Sequence, residues 1–263
     1  MGERRSVRSA MQLVVAALAD QQAELDGLLE GQDDARWAMP APACPGWTVA
    51  DVVLHLAQTD ELGTASAQHR FGERAVPPPS GGSAGRATVD DAAAAMVERE
   101  RGGPPTAVRE RWRAAAAAER AAQSACDPHE RLIWVAGDLA ARTLATTRLS
   151  ETWIHTTDVA EALGLAVEPT DRLWHVARLA WRTLPYAFAR AGRSLAGPVA
   201  VLLVGPTGER WDFTPDGDAV TTIRGGAEEF CRVAGRRVDP SQTSLVATGP
   251  DAKAVLALVR TYA

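Results

Sequence analysis

Apolar positions recur every three or four residues along the first two-thirds of the chain. That spacing predicts a helix over residues 7–30, closed by "EGQDD", and a second from Thr48 to Ser66. Thr48 is a good N-cap, and Asp51 three residues on completes a capping box. The loop before it, "AMPAPACPGW", is broken by Pro45-Gly46. Residues 71–87, with "AVPPPSGGSAG", read as a long loop. Helical spacing returns over 89–101 and 105–126, and "CDPHER" reads as a turn. A long helix then covers 138–163 and stops at Gly164. Four substantial helices with one long crossing loop predict a four-helix bundle.

After "GLAVEPTD" the pattern changes, which places a domain boundary near residue 166. A helix over 171–193 is interrupted at Pro185. "GPVAVLLVG", "ERWDFT", "AVTTIRG" and "TSLVATG" read as short strands between Gly-rich turns. "GAEEFCRVAG" and "PDAKAVLALVRTYA" read as short helices. The expected fold class is α+β: a four-helix domain over 1–166 and a smaller mixed α/β domain over 167–263.

Composition narrows the partners. Of 263 residues, 46% are hydrophobic and 23% charged, which suits a globular chain with a sizeable core. The net charge of −5 argues against nucleic acid or an anionic membrane, since both select clustered positive charge. No run of 18 apolar residues predicts a membrane span, and the basic start lacks a signal-peptide core. Three widely spaced cysteines, Cys44, Cys126 and Cys231, do not form a disulfide framework and suit a reducing cytoplasm.

The candidate chemistry lies in "ETWIHTTDVAEALG", residues 151–164. On a helical wheel Leu149, Trp153, Ala160 and Leu163 share an apolar face, and Ser150, Thr157 and Glu161 mark a solvated stripe. Glu151 and His155 fall on a third stripe with Leu144 and Ala162, so the carboxylate needs a partner if buried. On the second helix, Val52, His55, Thr59 and Leu62 form one seam, with His55 at a core position. Two imidazoles and one carboxylate suit Zn²⁺ with an open fourth position, while nickel, iron or cobalt could take the same ligands. A Glu four residues before a His is common by chance, so spacing alone leaves a hydrogen-bonded core histidine as the plainer reading.

The stretches "CPGWTVADVVLHLAQTDE" and "RLSETWIHTTDVAEALG" resemble the two signatures of the mycothiol-dependent maleylpyruvate isomerase family. The resemblance implies a DinB-like four-helix N-terminal domain whose zinc ligands fall on His55, Glu151 and His155. "ARLAWRTLPYAFARAGR" and "IRGGAEEFCRVAGRRVDPSQTSLVATGPDA" resemble an actinobacterial branch described as metal-binding proteins. The chain departs from that branch at "HTTD", where relatives carry His-Gly-Gln-Asp, and in "LIWVAGDLAAR". Asp158 reads most simply as a solvated helix residue; alternatively it orients a ligand imidazole or acts as a catalytic base. Cys44 reads as a small buried residue. The resemblance also implies a substrate-binding arginine in the C-terminal domain, for which Arg182 and Arg224 are the candidates.

What this implies is a cytoplasmic zinc enzyme with mycothiol as co-substrate, catalysing S-transfer to a small electrophile or its isomerisation. Rival readings are a hydrolase, lyase or cyclase using metal-activated water, and a non-catalytic metal- or small-ligand-binding protein. The expected assembly is a monomer or weak homo-oligomer.

Overall fold

The structure, a computed structural model, describes residues 2–74, 88–135 and 137–261, with side chains from residue 10 onward. It is an α+β protein that divides into two compact units, Met1–Val167 and Glu168–Ala263.

The first unit is built on four long helices: α1 (Gly2–Leu29), α3 (Val49–Ala67), α6 (Pro105–Ala125) and α7 (Ala141–Leu163). Between them lie the short α2 (Asp34–Trp37), α4 (Phe71–Arg74) and α5 (Val89–Glu100). Helix α3 packs on α6 and α7, while α1 packs on α7 and α6. Helix α3 begins where its cap chemistry dictates: Thr48 Oγ1 accepts from the Asp51 N–H, and the Asp51 carboxylate accepts from the Thr48 N–H. Its Val52, Val53, Leu56 and Ala57 join Trp112 and Ala116 of α6 and Val159 of α7 in one apolar cluster. Helix α7 ends at Gly164, whose φ of 64° is left-handed and favours glycine.

Some expectations change here. The segment from residue 138 does not start the long helix. Leu139–Ala140 is a two-residue strand, β2, paired antiparallel with β1 (Arg131–Leu132), and α7 starts at Ala141. The expected loop over 71–87 begins instead with the turn of α4, and its remainder, 75–87, lies outside the described residues. The solvated stripe of α7 is not uniformly solvated: Ser150 is buried, because this helix is packed by α1, α3 and the small hairpin together.

The second unit holds a four-stranded sheet with order β4-β3-β5-β6. Its strands are β3 (Val199–Val204), β4 (Arg210–Phe213), β5 (Thr221–Gly226) and β6 (Val246–Thr248). The central β3, "VAVLLV", runs parallel to β5 and antiparallel to β4; its nearly unbroken apolar run suits the middle of a sheet. The helices are α8 (Leu173–Arg182), α9 (Leu184–Arg190), α10 (Ala227–Ala234) and α11 (Ala252–Leu258). The break between α8 and α9 falls at Thr183, which puts Pro185 in the first turn of α9, where its missing N–H costs no intrahelical hydrogen bond. Trp174 and Trp181 of α8 pack on Phe213 of β4.

Candidate metal centre

Three side chains from α3 and α7 meet inside the first unit. The ligand-capable atoms of His55, Glu151 and His155 all lie within 4.8 Å of one another. The four-residue step on α7 stacks Glu151 and His155 on one face, and the contact of α3 with α7 brings His55 to it. Glu151 Oε2 is 4.0 Å from His55 Nε2 and 3.8 Å from His155 Nε2. The two imidazole rings stand edge to face, with centroids 5.0 Å apart.

These separations exceed hydrogen-bond reach. They lie near, and slightly above, the roughly 3.4 Å that separates two ligands sharing one tetrahedral zinc. His55 is only 7% exposed, its Nδ1 is buried without a hydrogen-bond partner, and its Nε2 meets Glu151 only at 4.0 Å. An imidazole buried with its Nδ1 unpartnered and its Nε2 facing a carboxylate at 4.0 Å fits a ligand better than a self-sufficient core histidine. The donor set therefore fits a divalent transition ion.

The electrostatics agree with that chemistry. Burial pushes the His55 imidazole down to about 4, with Glu151 opposing and the His155 and Arg148 charges assisting. The ring is neutral at pH 7, as a metal ligand must be. Burial pushes Glu151 up, but contact with His55 and the His155 and Arg148 charges outweigh it and hold the carboxyl at about 2.

Asp158 is not solvated. It is 1% exposed, and its Oδ2 accepts from His155 Nδ1 at 2.9 Å. A three-residue step on α7 puts the carboxylate against the far nitrogen of the ring, leaving Nε2 toward Glu151. Cys44 is half-buried, and its thiol donates to the same Asp158 oxygen at 3.3 Å. The Trp47 ring lies 5.1 Å from that of His55, tilted by 46°. The two threonines between His155 and Asp158 return their hydroxyls to the helix: Thr156 to Thr152 O and Thr157 to Ile154 O.

Sequence reasoning missed the polar cluster that joins these two helices to α6. Arg148, 1% exposed, donates to Asp60 Oδ1 at 2.6 Å and to Thr59 Oγ1 at 2.8 Å, and its Nε lies 3.3 Å from Glu119 Oε1. The Thr59 hydroxyl in turn donates to the His55 carbonyl, which ties the cluster to the first histidine. The available signal was Arg148 three residues before Glu151, a charge on the stripe that also holds the candidate ligands. Arg182 and Arg224 belong to the second unit, at the end of α8 and on β5, and both are exposed. His175, also in that unit, stacks edge-on against Trp174, and burial pushes it down to about 4.

A model of the mycothiol maleylpyruvate isomerase N-terminal domain family matches residues 18–160. Uncharacterized proteins of two Mycobacterium tuberculosis strains are 34% identical over 250 residues, 95% of this chain and 95% of theirs. A crystal structure of the mycothiol-dependent maleylpyruvate isomerase matches with a TM-score of 0.62, at 18% identity, over 90% of this chain and 92% of that one. A histidine-to-alanine mutant of that isomerase matches with a TM-score of 0.60 at the same identity and coverage. At that identity the two crystal structures speak to fold.

Proposed function

The chain belongs to the mycothiol maleylpyruvate isomerase family, and from that premise we propose a zinc enzyme that uses a low-molecular-weight thiol, mycothiol, as co-substrate. In this reading Met1–Val167 is a DinB-like four-helix metal-binding domain and Glu168–Ala263 the mixed α/β C-terminal domain. His55, Glu151 and His155 would hold the ion. The observation that carries the reading is their convergence: two buried imidazoles and a carboxylate facing one another beyond hydrogen-bond distance.

Bound there, zinc would supply Lewis-acid stabilisation of a thiolate, the competent nucleophile, at neutral pH. The chain's own residues do the rest. Asp158 keeps the proton on His155 Nδ1, so that Nε2 presents its lone pair. Buried Arg148 offsets the negative charge of Glu151. Trp47 lies against the His55 ring and helps keep water from it. The substrate would be a small electrophile such as a conjugated alkene. Addition of the thiol sulfur to one alkene carbon leaves a single bond free to rotate, and expulsion of the same thiol restores the double bond in its other geometry. If the adduct is retained instead, the outcome is S-transfer. Arg182 or Arg224 would bind a substrate carboxylate, a role that suits the bidentate guanidinium. The three cysteines, present as thiols, suit a reducing cytoplasm; among the described residues no helix is long and apolar enough to cross a membrane.

The test is metal analysis of purified wild-type protein and Glu151→Ala, followed by turnover of conjugated alkenes with and without mycothiol. The reading expects about one zinc per chain and thiol-dependent turnover, with both lost in the variant. Full activity in a metal-free Glu151→Ala protein sinks it; turnover without thiol favours metal-activated water.

A further inference from the structure

Residues 38–48 form a tight strap ahead of α3. The Ala41 N–H donates to Trp47 O, the Cys44 N–H to Ala41 O, and the Trp47 N–H to Cys44 O; the Val49 N–H donates to Met39 O. Gly46 turns the chain with φ of 84°, a conformation that favours glycine. This geometry sends two side chains of one strap to the two histidines. The Trp47 ring packs on His55, and the Cys44 thiol reaches Asp158.

Cys44, His155 and Asp158 also have ligand-capable atoms within 4.8 Å of one another, so they could be taken for a second metal set. Their distances say otherwise. His155 Nδ1 and Cys44 Sγ lie 2.9 and 3.3 Å from one Asp158 oxygen, both hydrogen-bond distances that satisfy the atoms without an ion. The His55–Glu151–His155 set, at 3.8 and 4.0 Å, is not satisfied in this way.

We propose that Cys44 is a positioning residue of the metal centre, acting through Asp158 on His155. The inference rests on the metal reading above. The thiol donates to the Asp158 carboxylate and holds it against His155 Nδ1–H, which fixes the ring with Nε2 toward Glu151. Cys44 itself stays out of the coordination sphere, leaving the fourth position to an external thiol. The strap thereby aligns both imidazoles, one through a hydrogen-bond relay and the other through the Trp47 ring.

The experiment measures Zn²⁺ affinity by chelator competition for wild type, Cys44→Val, Cys44→Ser and Asp158→Ala. Valine keeps the volume and removes the donor; serine keeps a donor. Cys44→Val should weaken zinc binding by about 3- to 10-fold, the effect of one lost hydrogen bond. Cys44→Ser should stay within about 2-fold of wild type. Asp158→Ala should lose about 10- to 100-fold, and adding Cys44→Val to it should change nothing further. Equal affinities of Cys44→Val and wild type overturn the proposal, as does a Cys44→Ser protein as weak as Cys44→Val. A thiolate-to-metal charge-transfer band in the Co²⁺ protein that disappears in Cys44→Val would make Cys44 a ligand and overturn it too. In the metal-free protein, nitrogen-detected NMR should find the His155 proton on Nδ1, and a proton on Nε2 overturns the relay. If wild type binds no zinc, the metal reading fails, and this tautomer still decides the relay separately.

Discussion

Arg148 is one buried cation facing two buried carboxyls, Asp60 and Glu119, all 1% exposed or less. Two carboxylates cannot both stay ionised beside a single guanidinium in such a place, so one proton remains. Burial and the neighbouring Asp60 charge push Glu119 well above the usual carboxylate range. Protonated Glu119 donating to Asp60 also accounts for the two oxygens, Asp60 Oδ2 and Glu119 Oε2, that otherwise lack partners. Glu119→Gln, a neutral donor of the same shape, should therefore change stability by less than about 1 kcal/mol. Arg148→Met strands a buried carboxylate and should cost about 3–5 kcal/mol in urea unfolding. An Arg148→Met loss no larger than that of Glu119→Gln would contradict this charge assignment. His55 gives a prediction in pH. Its folded value, about 4, lies below the ordinary 6.5, so the unfolded chain takes up the extra proton and stability falls as pH drops between those values. Relative to His55→Leu, the metal-free wild type should lose about 1–2 kcal/mol between pH 7 and pH 5. Parallel pH profiles for the two proteins would show that His55 is not held neutral.

At the scale of the elements, the same cluster constrains how α3 lies on α6. A Cβ at Gly63 would fall 1.8 Å from Glu119 Oε1, so the glycine permits the close approach of the two helices. In an exposed helix Gly→Ala gains about 1 kcal/mol. Here Gly63→Ala should instead lower the melting temperature, because the neighbour is a buried, hydrogen-bonded carboxyl with no room to yield; a raised melting temperature would refute the packing. Nothing in the sequence around Gly63 announces this, since the clashing partner is 56 positions away on another helix. Local chemistry was legible where the cause is local. Thr48 and Asp51 state the start of α3, and Gly164 states the end of α7. The apolar stripes made a convergence of His55 with Glu151 and His155 possible but left a hydrogen-bonded core histidine as the plainer reading; the family resemblance is what implied the set. Ser150, and Asp158 in its plainer solvated reading, were misread for the complementary reason: a wheel assigns polar residues to solvent, whereas α7 is enclosed by three neighbours and buries them. The alternative reading of Asp158, that it orients an imidazole, matches its hydrogen bond to His155. The strands β1 and β2 escaped because two residues carry no period.

For the whole molecule, the relevant fact is where the candidate ligands lie in the chain. All three belong to the unit Met1–Val167, on α3 and α7, and none comes from Glu168–Ala263. An ion that binds only the folded form stabilises it in proportion to RT ln(1 + [L]/Kd), about 2.7 kcal/mol at a hundredfold excess over Kd. That free energy enters the unit whose unfolding destroys the site. Removing the metal with a chelator should therefore speed amide hydrogen exchange in α3 and α7 by up to about a hundredfold. The strands β3 and β5 and helix α10 should keep their rates. Hydrogen-exchange mass spectrometry resolves these segments separately. Acceleration of equal size in residues 168–261 would mean that the two units open as one cooperative body. Unchanged rates in α3 and α7 would mean that no ion bridges them. Only the uneven outcome fits a centre made by two helices of one unit.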